Sequence, residues 1–184
     1  MKIILASQSP RRKELLGQLV PSFEVVPADI DETINEKDTP KEYVDKMASS
    51  KSEVVAASYP TDLVIASDTI VAIDDEILGK PTSREDAFLM LKKMSGRKHM
   101  VYTTVVLQQG KKIRKETVPA EVTFFTLTDE EINQYLDTGE HKDKAGAYGI
   151  QGAASVFVKK VNGDYYSIVG FPVGVVHQML KEFV

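Results

Sequence analysis

The chain has 184 residues, of which 42% are hydrophobic and 27% are charged, and it contains no cysteine. This length and composition predict one folded unit with a full core, and the lack of cysteine excludes disulfides, thiolate catalysis and thiolate zinc sites. The net charge of -4 argues against general affinity for nucleic acid polymers, so a polyanion must meet a local basic site. No apolar run suits a signal peptide or a membrane span, and we therefore expect a cytoplasmic protein without a membrane partner.

The first half of the chain is predicted to alternate strands with helices. Thr39 and Glu42 form a capping box around Pro40, which marks the start of a helix. Asp74 and Asp75 predict a turn after a long apolar strand. The predicted elements, in chain order, are a strand at 2–6, a helix from Pro10, a strand at 23–27, a helix at 40–58 and a strand at 63–73.

Hairpins dominate the prediction for the second half. Gly110 and the pair Asn162-Gly163 are turn signals, each between two apolar segments. Because strands and helices alternate early and hairpins follow, we expect an α/β fold with a mixed twisted sheet flanked by helices. The predicted elements are helices opened by Thr82 with Glu85 and by Thr128 with Glu131, strands at 100–108, 112–118, 122–127, 156–161 and 165–169, and a helix at 173–183.

The first motif that suggests chemistry is SQSPRR, which begins at Ser7. Ser7 or Ser9 can cap a helix that starts at Pro10, which leaves free backbone N–H groups beside Arg11 and Arg12. Such an arrangement suits a phosphate. An ordinary helix cap with solvated arginines would produce the same pattern.

Two charged residues are predicted to face the core. Lys51 lies within an apolar helical stripe, where its stem either reaches out to solvent or carries the ammonium to an anion at the sheet edge. Asp68 interrupts a buried strand, and a carboxylate there needs a cation, a metal or hydrogen bonds. A structural ion pair with Lys51 would satisfy Asp68, but we favour a functional role for it.

The remaining candidates are an acidic loop and a glycine-rich segment. Asp29, Asp31 and Glu32 offer the oxygen ligands that Mg²⁺ or Mn²⁺ prefers, a signal that gains weight only if Asp68 lies nearby. In DKAGAYGIQG, Gln151 offers both a donor and an acceptor to a flat ligand, and a glycine-rich turn without a ligand is the alternative. The basic and acidic candidates together indicate nucleotide or phosphate-ester chemistry.

Five motifs occur in order along the chain: SQSPRRKELL from Ser7, SDTIV from Ser67, LGKP from Leu78, SGR from Ser95 with His99, and the segment from Asp143 to Gly152. Together they resemble the Maf family. Their order and spacing match it over nearly the whole chain, with Ser67 where alanine is usual and Ala153 and Ala154 where glycine is frequent. The resemblance implies a single domain over residues 1–184, similar to the inosine triphosphatase group, with two lobes around a cleft.

The resemblance also implies an activity. Members of this family hydrolyse a nucleoside triphosphate to its monophosphate and pyrophosphate with a divalent metal, here Mg²⁺ or Mn²⁺. Arg12, Thr69 and Gln151 match the subgroup that prefers dTTP and UTP. By motif, Asp68 is the proton acceptor, Glu32 and Asp68 hold the metal, and the substrate-binding residues are Ser9, Arg11, Arg12, Lys51, Thr69, Lys80 and Gln151.

Two further expectations concern partners and biological role. A homodimer is the expected assembly, and the family picture adds a role in nucleotide-pool sanitising and an association with cell division. The alternative is a nucleotide-binding regulator of septum formation that acts through a protein partner without turnover. Asp68 argues against that alternative, because a pure binder gains nothing from a carboxylate beside a polyanion.

Overall fold

Seven strands form one mixed sheet in the computed structural model, which describes residues 1–184. The strands are β1 (Ile3–Leu5), β2 (Glu24–Val25), β3 (Leu63–Ile73), β4 (Glu76–Leu78), β5 (Lys98–Gln109), β6 (Lys112–Phe124) and β7 (Val158–Gly163). The helices are α1 (Pro10–Gly17), α2 (Pro40–Ser58), α3 (Arg84–Met94), α4 (Asp129–Asp137), α5 (Tyr165–Val169) and α6 (Val173–Leu180), with two 3-10 turns at Ala145–Ala147 and Ala153–Phe157.

The sheet has parallel and antiparallel parts, as the order of predicted elements indicates. The strand order is β2-β1-β3-β5-β6-β7, and β4 pairs with β3 outside this path. β1 is parallel to both β2 and β3, whereas the pairs formed by β4, β5, β6 and β7 are antiparallel. The prediction of a mixed sheet flanked by helices is confirmed.

Strand β3 divides the core because its side chains alternate between the two faces of the sheet. Leu63, Ile65, Val71 and Ile73 face the larger cluster of 33 buried residues, which includes side chains of α3, α4 and α6. On the other face, the even-numbered apolar residues of β3 pack against α2, in two smaller clusters of eight and five buried residues. Between those two clusters lies Asp68.

A gap in the edge of β3 positions the functional site. β1 pairs with residues 63–65 of β3 and β4 pairs with residues 71–73, so residues 66–70 have no strand partner on this edge. β1 runs parallel to β3 and β4 antiparallel, and both therefore run towards the gap from opposite ends. The loop that begins at Ser7 and the segment that holds Lys80 consequently meet beside the middle of β3.

The structure confirms the helix and strand predicted with the strongest local signals. α2 spans Pro40–Ser58 with a complete capping box, and β3 spans Leu63–Ile73. The capping box of Thr128 and Glu131 at the start of α4 is also present. None of the helices combines the length and the hydropathy that a bilayer-spanning segment requires.

Three predictions about local structure are wrong. α3 is capped by Ser83, whose hydroxyl accepts from the Asp86 N–H at 3.0 Å, because Thr82 instead donates its own N–H to the Asp86 carboxylate. The strand predicted at 122–127 does not exist separately, because β6 continues to Phe124. The predicted strand at 165–169 is helix α5, capped by Asp164 through the N–H of Tyr166. No hairpin therefore forms at Asn162-Gly163, and β7 pairs with β6 instead.

Candidate active site

A cleft with a cavity volume of about 1040 Å³ opens at the gap in the edge of β3. Its walls come from segments far apart in the sequence, among them the SQSPRR motif, the acidic loop, β3 and the glycine-rich segment. Every residue predicted for catalysis, metal binding or substrate binding lies on it. These residues are Ser9, Arg11, Arg12, Glu32, Lys51, Asp68, Thr69, Lys80 and Gln151.

One wall of the cleft consists of charges that compensate one another. Lys51 Nζ lies 2.7 Å from Asp68 Oδ1 and 2.6 Å from Glu32 Oε1. The side chains of Lys51 and Asp68 are only 12% and 11% exposed, so Lys51 does not extend into bulk solvent but reaches an anion at the sheet. Lys80 Nζ lies 3.8 Å from Glu32 Oε2. We call Glu32, Lys51, Asp68 and Lys80 the paired wall.

Lys51 and Asp68 meet because each interrupts an apolar surface at the same level. Lys51 follows the buried residues Met47 and Ala48 by about one helical turn, and Asp68 lies between Ala66 and Ile70 on β3. The buried charges therefore satisfy each other across the interface of α2 and the sheet, as the ion-pair interpretation predicts.

The acidic loop contributes Glu32 to the paired wall. Burial alone would raise the pKa of Glu32, but the hydrogen bond from Lys51 and the charges of Lys51 and Lys80 outweigh it and place the pKa below its ordinary value. The hydroxyl of Tyr43 donates to the backbone carbonyl of Glu32 at 2.6 Å. Burial, followed by the charges of Asp68 and Glu32, raises the pKa of Tyr43 to about 12, so this hydroxyl keeps its proton at neutral pH.

Another part of the cleft wall carries Arg11, Arg12 and Lys144, none of which forms an ion pair with a carboxylate. We call these three residues the unpaired wall. Arg11 Nε donates to the Val169 carbonyl at 3.4 Å, and Lys144 Nζ donates to the Glu140 carbonyl at 2.6 Å. Burial, together with the charge of Arg11, lowers the pKa of Lys144. Arg11 and Lys144 are thus held by backbone oxygens, which carry no formal charge.

Arg12 makes the most extensive contacts on the unpaired wall. Its Nε donates to the Gly170 carbonyl at 2.9 Å, and its terminal nitrogens donate to the hydroxyls of Ser7 at 3.4 Å and Thr69 at 3.2 Å. Ser67 also donates to the Gly170 carbonyl, at 3.1 Å. Burial lowers the pKa of Arg12, and the charge of Asp68 opposes this effect. The guanidinium is thus fixed in one orientation before any ligand binds.

The hydroxyl of Thr69 donates its single proton to Thr103. Thr103 donates to the Ser167 carbonyl at 2.6 Å, and the Thr69 and Thr103 hydroxyls lie 2.8 Å apart. Because a hydroxyl has one proton, Thr103 must accept from Thr69. Towards the cleft, Thr69 can therefore act only as an acceptor.

The glycine-rich segment lies against β3 and β5. Gly146 adopts a φ of +65°, and a Cβ there would lie 2.9 Å from Val71 Cγ1, so this position requires glycine. The Tyr148 hydroxyl lies 2.6 Å from His99 Nε2. Burial lowers the pKa of His99 to about 4, so this histidine is neutral at physiological pH. Gln151 is exposed at the rim of the cleft.

Comparison with known proteins identifies the family. A family model described as "Maf-like protein" matches residues 2–183. The chain belongs to the Maf family. The dTTP/UTP pyrophosphatase of Latilactobacillus sakei is 48% identical to this Maf protein over 97% of this chain and 99% of the relative. The dTTP/UTP pyrophosphatase of Bacillus velezensis is 47% identical over 99% of this chain and 96% of the relative.

A solved structure supports the fold of this Maf protein. The Staphylococcus aureus Ham1 protein superimposes with a TM-score of 0.55 and covers 99% of both chains, at 16% sequence identity. At this identity the similarity concerns the fold alone. It agrees with the expected inosine triphosphatase-like architecture.

The protein offers two carboxylate ligands, Glu32 and Asp68, to a divalent metal. Both carboxylates contact the ammonium of Lys51, so they are close to each other. No group of three or more metal-ligating side chains occurs, and Asp31 hydrogen-bonds to Thr33 within its own loop. Two carboxylates fit the way Mg²⁺ binds in many enzymes, where substrate phosphates and water complete the coordination.

Several residues of this Maf site were not among the predicted site residues. Ser7 had a local signal as a helix cap, although Ser9 is the residue whose hydroxyl caps α1. Lys144 lies in a motif that the resemblance already covered. No sequence motif marked Tyr43 or Thr103 as a site residue. Tyr43 acts through Glu32 and Thr103 through Thr69, and neither partner is adjacent to it in the sequence.

Proposed function

We propose that this Maf protein is a nucleoside triphosphate pyrophosphatase that hydrolyses dTTP and UTP to the monophosphate and pyrophosphate. The observation that carries the proposal is the position of Asp68, a buried carboxylate that lines one cleft together with Arg11, Arg12 and Lys144, three cations without an ion pair to a carboxylate. Relatives named dTTP/UTP pyrophosphatase, 45% to 48% identical over nearly the whole chain, support the same reaction.

Asp68 has the geometry of a group that orients and deprotonates a water molecule. Its Oδ1 accepts from Lys51, whereas its Oδ2 makes no hydrogen bond to the protein. Oδ2 is thus able to accept from a water, and Lys51 keeps the carboxylate in one orientation. A cleft that only bound nucleotides would gain nothing from this arrangement, since the carboxylate repels a polyanion.

The cations of the cleft suit a triphosphate with about four negative charges. Arg11, Arg12 and Lys144 form no ion pair and bond to uncharged oxygens, so an anionic ligand can approach them without displacing a carboxylate. Lys51 and Lys80 would become available to the phosphates when Glu32 and Asp68 bind a metal in place of the lysines. Glu32 and Asp68 would hold Mg²⁺ or Mn²⁺, which would neutralise further phosphate charge.

The unpaired wall also supports the preference for uracil and thymine. These bases carry an N3–H donor between two carbonyl acceptors, whereas the N3 of cytosine has no proton. Thr69 can only accept, and Arg12 beside it can only donate, which matches an N3–H next to a carbonyl. Gln151 can present either group, and it complements the pair without selecting a base by itself.

A screen of nucleoside triphosphates tests the proposal. We expect pyrophosphate release from dTTP and UTP with Mg²⁺ or Mn²⁺, and slower release from CTP and purine nucleotides. Tight binding of UTP without any release of pyrophosphate would instead support the non-catalytic septum regulator. The homodimer and the link to cell division stay predictions, and light scattering of the purified protein tests the first of them.

A further inference from the structure

The loop that carries Glu32 has few backbone hydrogen bonds to the rest of the molecule. Residues 27–38 follow the bond from Val26 N–H to the Leu5 carbonyl and contain no helix or strand. The one backbone-to-backbone bond inside this segment joins Asp38 to Asn35. Thr33 and Lys37 donate their N–H groups to side chains of the same segment.

The Tyr43 hydroxyl makes the single hydrogen bond between the backbone of residues 27–38 and the rest of the protein. It donates to the Glu32 carbonyl at 2.6 Å, from the first half of α2. The other connections of Glu32 are the ion pairs of its carboxylate with Lys51 and Lys80. Apolar contacts are also present, since Ile30 packs against the cluster that contains Tyr43.

The ion pairs of the Glu32 carboxylate and the hydrogen bond to its backbone carbonyl respond differently to the proposed reaction. Lys51 must share Glu32 with a metal or release it if the carboxylate is to bind one, so the ion pairs change when substrate and metal bind. The backbone carbonyl of Glu32 takes no part in that exchange. Its bond to Tyr43 can persist throughout.

We infer that Tyr43 is a positioning residue that keeps Glu32 over the cleft while its carboxylate exchanges partners. The inference rests on the proposed role of Glu32 in binding the metal. Tyr43 does not line the cleft and acts through the backbone of Glu32. Without its hydroxyl, residues 27–38 would lose the one hydrogen bond that joins their backbone to the rest of the protein. Metal binding would then have to order the loop while the Lys51 ion pair is also exchanged.

Tyr43→Phe tests this role, because it removes the hydroxyl and keeps the ring in its apolar cluster. Tyr102→Phe is the matched control. Tyr102 packs against the same cluster, but its hydroxyl makes no hydrogen bond and it does not line the cleft. We expect Tyr43→Phe to raise the Mg²⁺ or Mn²⁺ concentration for half-maximal UTP hydrolysis by roughly 3- to 10-fold, the factor that loss of one neutral hydrogen bond typically causes.

A second measurement does not depend on turnover. A glutamate-specific protease should cut after the exposed Glu36 severalfold faster in Tyr43→Phe than in the wild type or Tyr102→Phe. The melting temperature should be similar in the two phenylalanine variants. Unchanged cleavage after Glu36 together with an unchanged metal requirement would overturn the inference.

Glu32→Gln separates this inference from the proposed function. If Tyr43 acts through Glu32, Tyr43→Phe should have little further effect on the metal requirement in the Glu32→Gln background. An effect of full size in that background would overturn the positioning role while leaving the function of Glu32 intact. Full activity of Glu32→Gln would overturn the metal-binding role of Glu32 and the positioning role with it. A protein that released no pyrophosphate in the nucleotide screen would refute the proposed function before either variant was made.

Discussion

The two walls of the cleft hold their charged side chains in different ways. In the paired wall, Lys51 lies between Glu32 and Asp68, and buried charge is compensated within the protein. In the unpaired wall, Arg11 and Arg12 are held by backbone carbonyls and hydroxyls, and neither forms an ion pair with a carboxylate. A paired wall must exchange partners when substrate arrives, whereas an unpaired wall is already arranged for an anion.

The comparison teaches how one sheet edge can combine binding with reaction. Asp68 and Thr69 are neighbours in β3, so their side chains point to opposite faces of the sheet. The first belongs to the face covered by α2 and the second to the face near α5. Because β1 and β4 leave this part of the edge unpaired, a ligand can reach both faces there.

Asp68→Asn is expected to produce the largest effect, because it removes the basic group of the paired wall while the unpaired wall stays intact. Hydrolysis of UTP should fall by about 10² to 10⁴, the usual loss when a general base is removed. Nucleotide binding and the fold should be largely retained. Rates measured with detection of pyrophosphate, beside a binding titration, check this. Near-normal turnover would eliminate Asp68 as the base.

Lys51→Met tests whether the ion pair is only structural. The variant keeps the apolar length of the side chain and leaves Glu32 and Asp68 without their shared cation, so kcat/KM should fall by roughly 10² to 10³ without unfolding. Lys46→Met is the control, since Lys46 lies on the same helix in an exposed pair with Asp38. Melting temperature and kcat/KM are measured together. Full activity of Lys51→Met would contradict a functional role.

Acidic pH should lower the stability of the folded protein through His99, which contacts Tyr148 of the glycine-rich segment. His99 is 1% exposed and its pKa is lowered by burial from 6.5 to about 4, so between these values the unfolded chain binds a proton that the folded protein does not. Stability is therefore lost as the pH falls from 6.5 towards 4, by up to about 3 kcal/mol from this group. Denaturant unfolding at several pH values should show this loss in the wild type and not in His99→Gln. Parallel pH profiles for the two proteins would refute it.

Gln151→Glu is expected to cause the smallest change, and it concerns base recognition beside the unpaired wall. A carboxylate offers no donor to a base carbonyl, so a polar pair is left unmatched at about 1 to 3 kcal/mol. This corresponds to roughly 5- to 150-fold in kcat/KM for UTP, with a smaller loss for CTP. The measurement compares UTP, dTTP and CTP in both proteins. An unchanged ratio of UTP to CTP would show that Gln151 does not recognise the base.

Much of the fold could be predicted from local signals. The capping box and Pro40 define the start of α2, and the apolar run from Leu63 to Ile73 defines β3, because caps and hydrophobic runs act over a few residues. The same signals misplace α5. Asn162-Gly163 followed by an apolar segment predicts a hairpin, but Asp164 caps a helix whose Ile168 and Val169 pack into the core.

The sequence by itself determined the Maf family, the mixed α/β fold and the candidate residues of the cleft, because these depend on motifs and patterns that are local in the chain. Only the tertiary structure decided which groups compensate one another. Arg12 binds the carbonyl of Gly170, 158 residues away, and Tyr43 binds the backbone of Glu32 across a loop without regular structure. Such contacts depend on how the sheet brings distant segments together, and a backbone carbonyl, unlike a side chain, has the same chemistry at every position and leaves no trace in the sequence.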